Sequence, residues 1–276
     1  MFLQILPAAI VALTIAAALS AGVAMCRSER LREVLAPFAV GIAYLAGHFF
    51  ITGRTPFPPV DTTNWLPYFA LAAAAAGSLV ALRDTIALRA VVSGLVGIAA
   101  LRLLLAPKFR YGWSPVQGWV WVIGLTVLII LLALTARAIG RRSSLPFERP
   151  MLLSMVCGET AGALMLSGSL LLGQFATVLA AAVLGTLVLA LLKRDSTHGS
   201  ALCFAVLLVA LLASGYFFAS LPATSALLLA VTPAFALIPT GRIATYRAAA
   251  IRIFLVSVPI AIAVLMAFRS SPPIDY

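Results

Sequence analysis

The sequence predicts an all-α fold, a bundle of membrane-spanning helices. Of its 276 residues, 63% are hydrophobic and 10% are charged, whereas soluble domains carry roughly 25% charged residues. Its mean hydropathy is +1.12. Ten apolar stretches run from residue 3 to residue 268, and about 20 apolar residues are enough for a helix to cross the hydrocarbon core of a bilayer. We therefore predict one integral membrane domain over residues 1–276, with the lipid bilayer as its surroundings.

The first half of the chain, residues 1–137, holds five predicted spans. The first span lacks the basic residues that precede the apolar core of a secretory signal, so we interpret it as a retained helix. The other spans are bounded by loops that carry glycine, proline or arginine, residues that end helices or remain outside the membrane. The predicted spans are 3–25, 35–52, 65–82, 86–106 and 116–136.

Residues 138–150 are predicted to connect the halves, and residues 151–276 hold five more spans. Two apolar runs of this half are too long for a single crossing even with tilt, so each is interpreted as a tight helical hairpin. We place the breaks at Gly173-Gln174 and at Ser220-Leu221-Pro222. The count falls to eight or nine if one hairpin is re-entrant. The predicted spans are 151–172, 175–192, 200–218, 222–239 and 251–268.

Basic residues divide unequally between the two membrane sides that alternate along these spans. Fourteen of the 19 fall on one side, and an excess of Lys and Arg marks the cytoplasmic side. Both termini are then predicted to lie outside. Interfacial arginines that meet anionic headgroups account for the net charge of +11, so nucleic acid is not a predicted partner. The five basic residues of the outer side are Arg54, Arg102, Lys108, Arg110 and Arg269.

Five spans in each half place the second half in the membrane with the opposite orientation. If the halves are structural repeats, they are inverted ones, as in many secondary transporters. The basic residues comprise 17 arginines and two lysines, a bias typical of GC-rich bacterial genomes. We therefore expect a multi-pass protein of a bacterial inner membrane.

Glu159 is the first candidate for an intramembrane site, because it lies about eight residues into its span. A carboxylate at that depth is costly unless it is paired, protonated or hydrated. With Thr160 beside it, Glu159 predicts a proton carrier or a cation ligand. The alternative is a structural glutamate hydrogen-bonded to a neighbouring helix, because the adjacent Gly158 and Gly162 allow close helix approach.

Arg102, His48 and Tyr44 complete the candidate intramembrane polar site. Arg102 lies toward the outer end of its span, where it either snorkels to the interface or contacts an anion or a buried acid. His48 follows Tyr44 by four residues and shares its helix face, as an interfacial hydrogen-bonding group or as part of a site. Pro233 and Pro259 fall inside spans and predict kinks, either ordinary ones or breaks that line a cavity.

The outer loops differ between the halves, and those of the first half, residues 53–65 and 107–115, are much the longer. We predict that they form any outward-facing recognition surface. Their aromatic residues are interpreted as interfacial belts, with a sugar or lipid-headgroup site as the alternative. The candidate recognition residues are Arg54, Asp61, Trp65, Lys108, Arg110, Tyr111 and Trp113.

The sequence contains no motif for nucleotide-driven transport or for hydrolysis. A Walker A loop, G-x-S-x-G and H-E-x-x-H are all missing, and its histidines and cysteines lack metal-ligand spacing. We therefore expect no cofactor, no metal and no enzymatic activity. The predicted function is that of a secondary transporter or permease-like protein for a small solute or ion.

Two other functions stay open from the sequence. One is a non-catalytic subunit or scaffold with a membrane-protein partner, which the small number of polar residues favours. The other is a membrane-embedded lipid-modifying enzyme, which would need Glu159, His48 and Arg102 to meet around one cavity.

Overall fold

A computed structural model describes residues 5–53, 57–59, 61–83, 85–143, 145–192, 199–238 and 245–269. Every regular element in these residues is helical, and a short 3-10 helix covers Thr62–Trp65. The α-helices are α1 Ile5–Met25, α2 Glu29–Thr52, α3 Leu66–Leu82, α4 Ile86–Leu104, α5 Ala106–Tyr111, α6 Pro115–Arg142, α7 Glu148–Leu166, α8 Leu170–Gly185, α9 Leu187–Leu192, α10 Ser200–Phe218, α11 Ala223–Phe235 and α12 Thr245–Arg269.

Eight helical segments of the described residues are long and apolar enough to cross a bilayer, and each coincides with a predicted span. The predicted all-α membrane fold is confirmed. The two remaining spans correspond to α7, which carries three charged residues, and to α11, which has 13 residues. A helix of that length measures about 20 Å, short of a hydrocarbon core of about 30 Å.

Side-chain caps fix where several helices begin. Ser28, Thr85, Ser114 and Ser169 each accept a hydrogen bond from the backbone N–H three residues later, at 3.2–3.4 Å. These caps satisfy N–H groups that have no partner within their helix. Because of the first cap, α2 begins at Glu29, well before the predicted start of its span at residue 35.

The first predicted hairpin forms, but the predicted position of its break is wrong. The chain turns at residues 167–169 rather than at Gly173-Gln174. Gly168 has a φ of +92°, a left-handed conformation that costs glycine little. Gly173 lies inside α8, where a Cβ would collide with Met165 of α7. Gly173, which the sequence predicts to end a helix, therefore allows α7 and α8 to pack closely.

The second hairpin turns where the sequence predicts. Ser220 has a φ of +54°, and α11 begins directly after Pro222. Pro233 lies in the last turn of α11, and Pro259 lies inside α12. Between the halves, α6 continues through Arg142 and α7 begins at Glu148, so the connection is shorter than the predicted 138–150.

Helix α10 forms the centre of the bundle. Sixteen of its 19 residues are buried, as expected for a helix that is apolar on every face. It packs against α2, α3, α4 and α6 of the first half and against α7, α8 and α11 of the second. Since α1 also packs along α8, helices of the two halves contact each other directly around the buried, apolar helix α10.

Contacts between helix termini define the two ends of the bundle. At the first end, an Arg30 Nη2 donates to the Leu82 carbonyl at 3.4 Å and an Arg142 Nη1 donates to the Leu237 carbonyl at 2.6 Å. We call this the arginine-rich end. At the opposite end, which we call the aromatic-rich end, the rings of Trp113 and Phe217 meet with centroids 5.0 Å apart.

Candidate functional site

Helix α2 carries the polar side chains of Tyr44 and His48 into the interior of the bundle. They are four residues apart and share a helix face, and both are fully buried. Two glycines on α2 permit the necessary close packing, because a Cβ at Gly41 would press on α3 and one at Gly47 would collide with Val178 of α8. The two polar side chains are thus enclosed where α2 meets its neighbours.

The imidazole ring of His48 makes its main contact through a stacking interaction. The imidazole stacks on Phe175 of α8, with ring centroids 4.2 Å apart and an interplanar angle of 18°. Among the described residues, neither Nδ1 nor Nε2 has a hydrogen-bond partner. The side chain of Asn64, from the 3-10 helix, lies within interaction range of the imidazole and donates to the Asp61 carboxylate at 3.4 Å.

Tyr44 points toward α7. Its hydroxyl likewise has no hydrogen-bond partner in the described part of the chain, and Cys157 of α7 lies near it. Thr160, one turn further along α7, is fully buried and donates to the Val156 carbonyl at 2.8 Å, so its own helix satisfies it. We call the following five residues the Tyr44–His48 cluster: Tyr44, His48, Asn64, Cys157 and Phe175.

Glu159 lies on the other side of α7, away from the Tyr44–His48 cluster. It is half-buried and lines a groove between α7 and α12 together with Ser257 and Ile260, residues close to Pro259 on α12. Nothing lies within 4 Å of a Cβ built at Gly158 or at Gly162. Among the described residues, α7 is therefore not closely packed at these two glycines, although α12 lies beside Glu159.

Arg102 lies near the aromatic-rich end, at the surface of the bundle. Its guanidinium carbon is 4.1 Å from the centroid of the Phe109 ring, a cation–π arrangement, and its side chain is exposed. This geometry fits snorkelling to the interface. Arg102, His48 and Glu159 thus have three different environments, and the structure does not bring them together around one cavity.

The two loops that are predicted to lie outside contribute to a cavity of about 480 Å³. Thr62 and Trp65 from the first loop line it together with Pro107, Arg110 and Tyr111 around α5. A volume of this size is within the range of small-molecule sites. Three predicted recognition residues, Trp65, Arg110 and Tyr111, therefore share one cavity on the aromatic-rich end.

The other predicted recognition residues lie elsewhere. The Lys108 ammonium is 5.6 Å from the centroid of the Phe218 ring, and Trp113 stacks on Trp121 with centroids 6.4 Å apart. Asp61 is exposed and accepts the hydrogen bond from Asn64. Arg54 lies outside the described residues.

The arginine-rich end holds a set of buried arginines that are not among the residues predicted from the sequence. Arg89, Arg137, Arg149 and Arg252 each expose at most 8% of their surface, although the sequence places them at helix ends facing water and headgroups. Arg252 donates to the fully buried carboxylate of Glu148 at 2.6 Å. The single acid among the basic residues of the predicted connection, Glu148, is the signal that could have revealed this network.

The polar side chains of the Tyr44–His48 cluster are hydrogen-bonding groups. A neutral imidazole provides one donor and one acceptor, a phenol provides both, and an amide provides two donors and an acceptor. These groups suit a small polar solute or a partly dehydrated ion. In the described residues, no three His, Cys, Asp or Glu side chains are grouped as a metal site requires.

Comparison of the chain with protein-family models, with curated proteins and with solved structures finds no match.

Proposed function

We propose that this protein is a secondary transporter or permease-like protein, and that the Tyr44–His48 cluster is its intramembrane site for a small polar solute or ion. One observation carries the proposal: the Tyr44 hydroxyl and both His48 nitrogens are buried, and none of them makes a hydrogen bond of good geometry with a described residue, although the Asn64 side chain lies close to the imidazole. Native proteins pair more than nine in ten of their buried polar groups. A bound solute would supply the partners that the helices do not.

The position of the 3-10 helix supports entry from the aromatic-rich end. Thr62 and Trp65 line the outer cavity, while Asn64 of the same short helix is in range of His48. A single turn of chain thus separates the cavity from the cluster. A solute collected by Trp65, Arg110 and Tyr111 would have to pass only this turn to reach the imidazole.

The charge distribution supports an orientation. The positive-inside rule assigns the arginine-rich end to the cytoplasm, so the outer cavity would face the exterior of a bacterial inner membrane. We propose a non-enzymatic role, because Glu159, His48 and Arg102, the three groups that an enzyme would need, have different surroundings and do not line one cavity.

Electrical recording on solid-supported proteoliposomes tests the transport proposal. Solutions of amino acids, sugars, carboxylates and alkali cations are exchanged rapidly over the proteoliposomes, and at least one solute should evoke a current with the wild-type protein. A proton-sensitive dye records any coupled proton flux. His48→Leu should reduce the signal about tenfold, the loss expected when one hydrogen bond of about 1.4 kcal/mol is removed. Phe50→Leu, a lipid-exposed change on the same helix, is the matched control. A current in the His48→Leu variant as large as that of the wild type would refute the assignment of the Tyr44–His48 cluster as the transport site.

A second candidate function is that of a subunit or scaffold for another membrane protein. The groove between α7 and α12 favours it, because Glu159 provides an acid there and Gly158 and Gly162 leave room for a close helix approach. Under this hypothesis a partner co-purifies with the wild-type chain, and Glu159→Gln combined with Gly162→Leu releases it. Retention of the partner by that variant would count against the groove as its binding surface.

A further inference from the structure

A second cavity, separate from the proposed transport site, lies between α6, α10 and α11 and measures about 120 Å³. Trp121, Tyr216 and Phe217 line it near the aromatic-rich end, with the Trp121 and Phe217 centroids 5.1 Å apart. Val209 and Ala230 line it closer to the middle of the bundle. The cavity thus extends from the middle of the bundle to the aromatic-rich end, across the depth of one bilayer leaflet.

Small side chains keep this cavity open. Ala223, Ala226 and Ala230 follow one another along α11 at helical spacing and face the cavity, and Ala213 of α10 also lines it. Leucines at these positions would fill the space. The alanines therefore leave unfilled space between α11 and its neighbours α6 and α10 on this side.

The lining determines what can occupy the cavity. It is composed of alkyl and aromatic groups, and an apolar cavity of such a size stays dry and accepts apolar guests. Counted along α10, Val209 and Phe217 are separated by about 12 Å, close to the roughly 15 Å of hydrocarbon in one leaflet. The guest that matches this length and chemistry is an acyl chain of the surrounding lipid.

A cation marks the headgroup end of the cavity. The Lys108 ammonium lies over the ring of Phe218, the residue next to Phe217. We propose that the cavity holds one acyl chain of an anionic phospholipid, and that the phosphate of this lipid lies beside Lys108. The inference is independent of the transport proposal, since neither Tyr44 nor His48 contributes to this site.

Fluorescence quenching by brominated lipids tests the lipid site. The reporter protein keeps Trp121 as its single tryptophan and carries Trp65→Phe, Trp113→Phe and Trp119→Phe. In the matched control, Trp121 is replaced by phenylalanine and Trp119, which is 44% exposed, is the single tryptophan. The proteins are reconstituted in phosphatidylcholine with increasing fractions of brominated phosphatidylglycerol or of brominated phosphatidylcholine. One lysine near the membrane surface favours an anionic headgroup about fivefold. Half-quenching of Trp121 should therefore need about fivefold less brominated phosphatidylglycerol than brominated phosphatidylcholine, and Trp119 should not distinguish them.

Two further variants separate the parts of the site. Lys108→Gln should remove the headgroup preference at Trp121 without abolishing quenching, and Ala226→Leu should lower quenching by both lipids. Equal responses of Trp121 and Trp119 would mean that only ordinary surrounding lipid is present. A Trp121 that neither lipid quenches would mean that the cavity is closed or holds another guest. Either result overturns the proposal.

Discussion

The polar groups buried at the arginine-rich end differ from those buried in the Tyr44–His48 cluster in how they are satisfied. Arg252 has a carboxylate partner in Glu148 and also donates to the Arg142 carbonyl at 3.2 Å. The Tyr44 hydroxyl and both His48 nitrogens have no hydrogen-bond partner in the described residues, whereas Arg252 lacks one at Nε but has two at Nη1. Both sets are enclosed by helices, so burial alone does not distinguish them.

This difference separates polar residues that hold the fold together from those available for a ligand. A buried ion pair whose members bond each other across α7 and α12 is part of the structure, and removing one member leaves an uncompensated charge. Buried polar atoms without partners lower stability, and sites of this kind concentrate where function requires them. We therefore expect substitutions in the two regions to change stability in opposite directions.

The largest effect is expected at the ion pair. Glu148→Ala leaves the Arg252 guanidinium buried without its carboxylate, so unfolding should become easier by about 3–5 kcal/mol. Stability is measured by denaturation with sodium dodecyl sulfate in mixed micelles. The control Arg27→Gln, at an exposed position, should stay within about 0.5 kcal/mol of wild type. A comparably small change in Glu148→Ala would show that the pair is not structural.

The next effect concerns the close packing that encloses the cluster. In Gly47→Val the new side chain must displace Val178 of α8, and overpacking of this kind costs about 1–3 kcal/mol. Gly158→Val is the matched control, because nothing lies within 4 Å of its Cβ. The same denaturation experiment compares them, and equal losses would mean that α2 and α8 are not tightly packed.

Within the cluster, stability and activity should change in opposite directions. Tyr44→Phe removes a buried hydroxyl without a described partner, so stability should rise by about 1 kcal/mol while solute-evoked current falls. Thr160→Val is the comparison, because the Thr160 hydroxyl is satisfied by its own helix. A Tyr44→Phe protein that is less stable than wild type would show that the hydroxyl has a structural partner.

The smallest effect is expected at the surface of the aromatic-rich end. A double-mutant cycle with Arg102→Gln and Phe109→Leu should give a coupling energy of about 0.5–1 kcal/mol, typical of an exposed cation–π contact. If the stability changes of the two substitutions are additive, Arg102 and Phe109 do not stabilise each other, and the position of Arg102 depends only on its charge.

The sequence predicts the fold well because lipid imposes a simple rule. A span needs about 20 apolar residues, so the eight long apolar helices could be located from composition alone. The turn at Gly168 could not, since a glycine that bends the chain and one that permits close packing, such as Gly173, look alike before the neighbouring helix is known.

The candidate site was predicted only in part. Tyr44 and His48 could be paired from their spacing on one helix, and Trp65, Arg110 and Tyr111 from their loops. Glu159 and Thr160 are adjacent in sequence but face different sides of α7, a separation that depends on which neighbour each side meets. The contributions of Asn64, Cys157 and Phe175 arise from contacts between distant segments, and a single sequence carries no record of them.

Side-specific labelling of position 48 tests the central claim most directly. His48→Cys is placed in a chain whose three native cysteines are replaced by alanine, and a membrane-impermeant maleimide is added to one side of sealed vesicles at a time. Asp61→Cys serves as the exposed control, and a chain that retains only Cys203, buried in α10, serves as the enclosed control. We expect slow labelling of the His48→Cys variant from the side that labels the Asp61→Cys variant at once. Labelling of His48→Cys from the arginine-rich side alone, or the complete protection expected of Cys203, would contradict it.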